Sequence, residues 1–97
     1  MIVTIQSLHF TAKQELNNFV TEKVSQLSHF YDKIESANVC LKLENSVKTE
    51  NKICEIRLIV PGKDLFVKRH GKTFEEATHD AVDVLQQQIK KMKTKFD

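Results

Sequence analysis

The sequence predicts one α+β domain in the order β-α-β-β-β-α, a four-stranded mixed sheet with both helices on one face. Three observations carry this. Four short segments alternate apolar and polar residues, the pattern of strands buried on one side. Two longer segments repeat their apolar residues at helical spacing. The first of these lies between the first two strands, which implies a parallel pair joined by a right-handed crossover. The later strands are separated by connections short enough for antiparallel hairpins.

The first strand, β1, is IVTIQS at residues 2–7, with Val3 and Ile5 toward the core and Thr4 and Gln6 opposite. Thr11 is the expected N-cap of α1, QELNNFVTEKVSQLSHFY at residues 14–31. Leu16, Phe19, Val20, Val24, Leu27 and Tyr31 share one face of it. Lys23 falls on that face by angle, so its stem must follow the core edge while its ammonium reaches water. The second strand, β2, lies in ESANVCLKLEN, residues 35–45, with Val39, Leu41 and Leu43 on one side and Asn38, Cys40, Lys42 and Glu44 on the other.

SVKTEN, residues 46–51, is a polar connection of hairpin size. KICEIRLIV, residues 52–60, is β3, with Cys54, Ile56, Leu58 and Val60 inward and Glu55 and Arg57 outward. Pro61 and Gly62 make a turn. The fourth strand, β4, is LFVKRH at residues 65–70, with Leu65 and Val67 inward and Phe66, Lys68 and His70 outward. Gly71 ends it, Thr73 caps, and α2 runs through FEEATHDAVDVLQQQIKKMKTK, residues 74–95. Its apolar face is Phe74, Ala77, Ala81, Leu85, Ile89 and Met92. The uncovered side of the sheet then presents Cys40, Lys42, Arg57, Phe66 and Lys68.

Composition narrows the function. The chain has 97 residues, 40% hydrophobic and 29% charged, which fits one globular domain over residues 1–97. No window approaches the ~18 apolar residues of a membrane span. MIVTIQS has no basic segment before an apolar one, so no signal peptide is expected and the cytoplasm is the expected compartment. Cys40 and Cys54 do not make a disulfide framework and should face opposite sides of the sheet. His9, His29, His70 and His79 lack metal-ligand spacing, so neither metal nor cofactor is expected. Glu75, Glu76, Asp80 and Asp83 belong to the acidic start of a helix that ends in lysine. With no phosphate loop and no nucleophile motif, an enzyme is not expected.

Binding remains. Formal net charge is only +2, but the charge is segregated along the chain. KDLFVKRHGK, residues 63–72, carries Lys63, Lys68, Arg69 and Lys72 against Asp64. LQQQIKKMKTKFD, residues 85–97, carries Lys90, Lys91, Lys93 and Lys95. At about 100° per residue these four spread around the end of α2, a distribution suited to a phosphate backbone. Gln86 and Gln87 just before them can bond phosphate, ribose or base edges. Exposed aromatics are few, so readout of structured RNA by backbone and shape is expected.

FVTEKVSQLSHFYDKI, VCLKLEN and QQIKKMKTK together resemble the short ribosome hibernation-promoting factors, also called ribosome-associated translation inhibitors, protein Y-like or sigma-modulation proteins. The resemblance covers the whole chain and implies a fold like double-stranded-RNA-binding domains. It implies a protein of the small ribosomal subunit, bound to rRNA in the channel of mRNA and tRNA, that silences translation under stress or in stationary phase. By position, the family's basic residue of α1 falls on Lys23, its strand lysine on Lys42, and its tail lysines on Lys91, Lys93 and Lys95. The arginine usual before the Gln of the tail is Gln87 here, with Lys90 in compensation, and a segment usually read DMYxA carries Thr73 and Glu75. The expected rRNA-binding set is Lys23, Lys42, Lys68, Arg69, Gln87, Lys90, Lys91, Lys93 and Lys95, without Thr73 and Glu75. Ending at Asp97, the chain is expected to lack the dimerisation domain of long forms and to be a monomer when free. The alternative is a protein-protein regulator that binds a sigma factor or a second hibernation factor through the open sheet face.

Overall fold

Four strands pair in the order in which they occur, β1-β2-β3-β4, in a computed structural model that describes residues 1–45 and 49–96, with side chains as far as Lys93. The elements are β1 (Ile2–Leu8), α1 (Gln14–Ser25), a 3-10 turn (Gln26–His29), β2 (Ser36–Leu43), β3 (Lys52–Val60), β4 (Lys63–Gly71) and α2 (Phe74–Phe96). β1 is parallel to β2, and the other pairs are antiparallel. The mixed sheet and the element order agree with the sequence. Both helices pack on one side of it.

The period-two alternation produces the core directly. Ala37, Val39 and Leu41 of β2, Cys54, Ile56, Leu58 and Val60 of β3, and Leu65 and Val67 of β4 are buried under the helices. Val20, Val24 and Leu27 close the layer from one side and Ala77, Ala81, Val82, Leu85 and Ile89 from the other. Val3, Ile5, Leu16 and Phe19 are only partly buried, because β1 and α1 form an edge of the layer. Thr78, fully buried in α2, donates its hydroxyl to the Cys54 sulfur at 3.6 Å. Cys40 pairs in register with Glu55, and Cys54 with Leu41, so the two thiols do face opposite sides.

Three boundaries differ from expectation. Thr11 does not cap α1. Lys13 is the N-cap residue, extended at φ −75° and ψ 159°, with no side-chain bond; its carbonyl accepts from Leu16 and Asn17. A hydroxyl at residue 11 is too early to serve a helix that starts at Gln14. The helix also stops at Ser25, and a 3-10 turn carries Leu27 into the core. Tyr31 therefore packs from a connection rather than from α1. The strand β4 begins at Lys63, not Leu65, because Gly62 at φ 82° closes the turn immediately before it. The residues 46–48 of the expected SVKTEN connection lie outside the described residues. Its remaining end is closed by Glu44 N–H donating to the Asn51 carbonyl at 2.9 Å.

Gly71 ends β4 where α2 begins, and a Cβ there would lie 2.9 Å from the Ala77 backbone nitrogen. The close approach lets α2 fold straight back over the strands. The Thr73 hydroxyl accepts from Glu76 N–H at 3.0 Å and caps the helix as expected. Phe10 and Phe74 stack at 4.4 Å between ring centres, tying the β1–α1 connection to the start of α2. Twenty-three residues make α2 about 34 Å long. Nine residues make β4 roughly 30 Å long. The helix therefore spans the sheet. Among the described residues no helix is long and apolar enough to cross a membrane.

Candidate nucleic-acid interface

Strand direction decides where the basic residues go. β4 runs parallel to β1, since two antiparallel steps separate β2 from β4. Each helix runs back from the end of its strand, so α1 and α2 are parallel and share a C-terminal end. The Lys93 ammonium donates to the Phe30 carbonyl at 2.9 Å, just past the 3-10 turn, and ties the two together. Lys23 lies in the last turn of α1, toward the same end as Lys90, Lys91 and Lys93 in α2. Lys23 is half-buried, as its place on the apolar face requires; Lys90, Lys91 and Lys93 are exposed. Lys23, Lys91 and Lys93 form no ion pair among the described residues. The Lys95 side chain lies outside them.

Lys42 and Lys68 lie elsewhere, on the open face of the sheet. Lys42 Nζ meets Glu55 Oε2 at 2.9 Å, and Lys68 Nζ lies 4.0 Å from the same oxygen. The hydrogen bond to Glu55 raises the Lys42 pKa above its ordinary value. Arg57 reaches Asp64 at 3.5 Å and sits 5.3 Å over the Phe66 ring. Much of the charge on this face is thus compensated within the sheet. A phosphate at Lys42 must compete with a carboxylate already in place.

Arg69 is separated from Lys68 by strand geometry. Adjacent residues of a strand face opposite ways. Lys68 is in register with Glu55 on the open side, and Arg69 with Cys54 on the helix side. There Arg69 borders a groove with Gln87, Asp80 and Asp83 of α2. The nine expected contact residues therefore do not form one patch. The helix end gathers Lys23, Lys90, Lys91 and Lys93, the open face holds Lys42 and Lys68, and the β4 edge holds Arg69 and Gln87.

The fold adds to the helix end two lysines that the expected contact set leaves out, with Lys63 read only as part of the basic stretch 63–72. Lys33 follows the 3-10 turn and Lys63 opens β4, and both line a groove with Lys93. Thirty positions apart in the chain, they share no local signal beyond the Pro61-Gly62 turn that brings Lys63 round. Chemistry of other kinds has little to work with. Among the described residues no group of three His, Cys, Asp or Glu is placed to hold a metal. Burial pushes the Cys54 thiol up to about 11, and burial also raises Cys40. Neither is an activated nucleophile.

The chain's resemblances fit this architecture. The family model described as Sigma 54 modulation protein / S30EA ribosomal protein matches residues 3–97. A ribosome hibernation promotion factor of Deinococcus radiodurans is 32% identical over 85 residues, covering 86% of this chain and 44% of that protein. The chain thus spans less than half the length of that relative. A ribosome hibernation promoting factor of Pseudomonas putida is 30% identical over 95 residues, covering 98% of this chain and 89% of that protein. The Protein Y N-terminal domain of Thermus thermophilus superposes with a TM-score of 0.80 at 22% identity, over 95% of this chain and 99% of that one. A ribosomal subunit interface protein from Coxiella burnetii superposes with a TM-score of 0.84 at 14% identity, over 97% and 99%. At these identities the two structures establish likeness of fold.

Proposed function

The chain belongs to the Sigma 54 modulation protein / S30EA ribosomal protein family, and from that premise we propose that it is a ribosome hibernation factor. It binds the small ribosomal subunit through rRNA, occupies the channel of mRNA and tRNA, and keeps the ribosome idle under stress or in stationary phase. The observation that carries this reading is the family match over residues 3–97, with relatives that bear the name over most of this chain.

The mechanism needs no bond to be made or broken. A small rigid domain excludes mRNA and tRNA when it fills their path, so inhibition follows occupancy. The affinity comes from lysines that neutralise phosphates and release counterions. The basic end of the two helices suits this role better than the open face. Lys91 and Lys93 are exposed and form no ion pair among the described residues, whereas Lys42 and Lys68 share one carboxylate. Lys42, Lys68, Arg69 and Gln87 then take outlying contacts on the flanks.

Sedimentation through a sucrose gradient tests the reading. The protein should comigrate with small subunits and whole ribosomes but not with isolated large subunits, and it should inhibit cell-free translation in proportion to occupancy. Protein that stays at the top of the gradient at low salt would overturn the proposal. Capture of a protein partner by the open face, weakened by Phe66→Ala and insensitive to salt, would then be the reading to pursue.

A further inference from the structure

The helix end is more than a set of charges. The 3-10 turn and the chain after it, the Pro61-Gly62 turn and the last described turn of α2 enclose an open groove of about 770 Å³. That lies within the ~300–1,000 Å³ typical of small-ligand sites. Its apolar wall is Phe30, Tyr31 and Met92. Phe30 is 37% exposed, one of the few large apolar side chains that the fold leaves open to solvent. Lys33, Lys63 and Lys93 also line it, against a single carboxylate among the described residues, Asp32. The Lys93 bond to the Phe30 carbonyl holds one of these cations directly beside the aromatic wall.

Aromatic wall and cationic rim together are the chemistry of a nucleotide whose base is out of its stack. A base laid on an aromatic ring is stabilised by stacking, and its two flanking phosphates need cations on either side. Duplex RNA keeps its bases stacked and offers only backbone and groove edges. We propose that this groove takes an unpaired base of an RNA strand, stacked on Phe30 beside Tyr31, with the flanking phosphates on Lys33, Lys63 and Lys93. This rests on the proposed ribosome binding and gives it a determinant of a different kind. The protein selects a place where the RNA is single-stranded or bulged. It also revises the expectation of pure backbone and shape readout, because the sequence does not show that the fold leaves Phe30 exposed among lysines.

The chain has one tyrosine and no tryptophan, so a tryptophan introduced by Phe30→Trp is an isolated reporter that can be excited at 295 nm, away from RNA absorption. The probes are a single-stranded adenosine hexamer, a blunt RNA duplex with the same number of phosphates, and AMP. The hexamer should quench the Phe30→Trp emission saturably, the duplex should not, and AMP should bind far more weakly. Phe30→Leu keeps the apolar volume but removes the ring, and should weaken the hexamer roughly 5- to 100-fold. Both variants should melt within a few degrees of the parent, since the position is partly exposed.

Equal binding of hexamer and duplex, unchanged by Phe30→Leu, would overturn the proposal in favour of a backbone contact. AMP binding as tightly as the hexamer would overturn it in favour of a free nucleotide. An acidic aromatic peptide that quenches the reporter when the hexamer does not would assign the groove to a protein partner. Ribosome sedimentation separates this idea from the one beneath it. If the parent protein does not sediment with ribosomes yet binds the hexamer through Phe30, the hibernation reading falls and the groove stands. If it sediments normally, and Phe30→Leu does so with equal affinity and no loss of hexamer binding, the groove falls and the hibernation reading stands.

Discussion

Changing Lys90, Lys91 and Lys93 together to Gln removes three positive charges from the shared C-terminal end of the helices and takes the formal net charge from +2 to −1. Glutamine has nearly the helix propensity of lysine, and Ile89 and Met92, which seal the core at this end, are untouched. The Lys93 bond to the Phe30 carbonyl is lost, at about 0.5–1.5 kcal/mol. The fold should survive that. If all three lysines meet phosphates, the log–log slope of ribosome affinity against salt should flatten by about 2–2.7, at 0.7–0.9 per contact. Over a fourfold rise in salt, 50 to 200 mM, the parent should then lose roughly 20- to 40-fold more affinity than the variant. Fluorescence anisotropy of labelled protein titrated with small subunits gives the slope directly. Lys13→Gln, Lys52→Gln and Lys72→Gln combined make the same charge change at the opposite end of the molecule, beside the helix starts. A flattening as large in that control as in the tail variant would refute a localised site. So would an unchanged slope in the tail variant.

Leu85→Ala should cost about 2–5 kcal/mol in chemical denaturation, since Leu85 is fully buried where α2 meets the sheet; a loss under about 0.5 kcal/mol would mean that α2 does not seal the core there. Gly62→Ala and Gly71→Ala should both lower the melting temperature, for different reasons. At Gly62 the space is open and the cost of about 1–2 kcal/mol is that of φ 82°, whereas at Gly71 the added methyl would strike Ala77 and Thr73 backbone atoms, and the loss should be the larger. Ellman's reagent at pH 8 should modify one thiol, Cys40, in the native protein and a second, Cys54, only in denaturant. Because burial raises Cys54 from 9.0 to about 11, the folded state holds its proton where the unfolded state releases it. Its stability contribution is full below pH 9 and lost as pH rises toward 11, by up to about 3 kcal/mol, a decline that Cys54→Ala should lack.

Strands and core were legible because period-two alternation maps directly onto a half-buried sheet, and no Gly or Pro interrupts it. The end of α1 was not legible. Leu27 and Tyr31 keep helical spacing, and no breaker marks Ser25, so only the 3-10 turn seen in three dimensions reveals the exit. Ile53 shows a second limit. It faces the open side by register, between its cross-strand neighbours Lys42 and His70, yet is only 4% exposed. Among the expected contact residues, the lysine tail could be read from charge alone. The division of Lys68 from Arg69 was also available, since neighbours on a strand must diverge. The meeting of Lys33 and Lys63 with Lys93 was out of reach, because only the parallel run of both helices and the hairpin at Gly62 bring them to the same end.

The last helix in chain order is also the lid of the hydrophobic layer and the carrier of the lysine end. β2, β3 and β4 can zip together hairpin by hairpin as the chain is synthesised, but Leu58, Leu65 and Val67 stay uncovered until α2 docks. Docking is what sets Lys93 beside Phe30. Maturation and competence therefore coincide. A half-made copy lacks the tail lysines and a partly unfolded one carries them without the arrangement, so only the finished fold presents the lysine end whole.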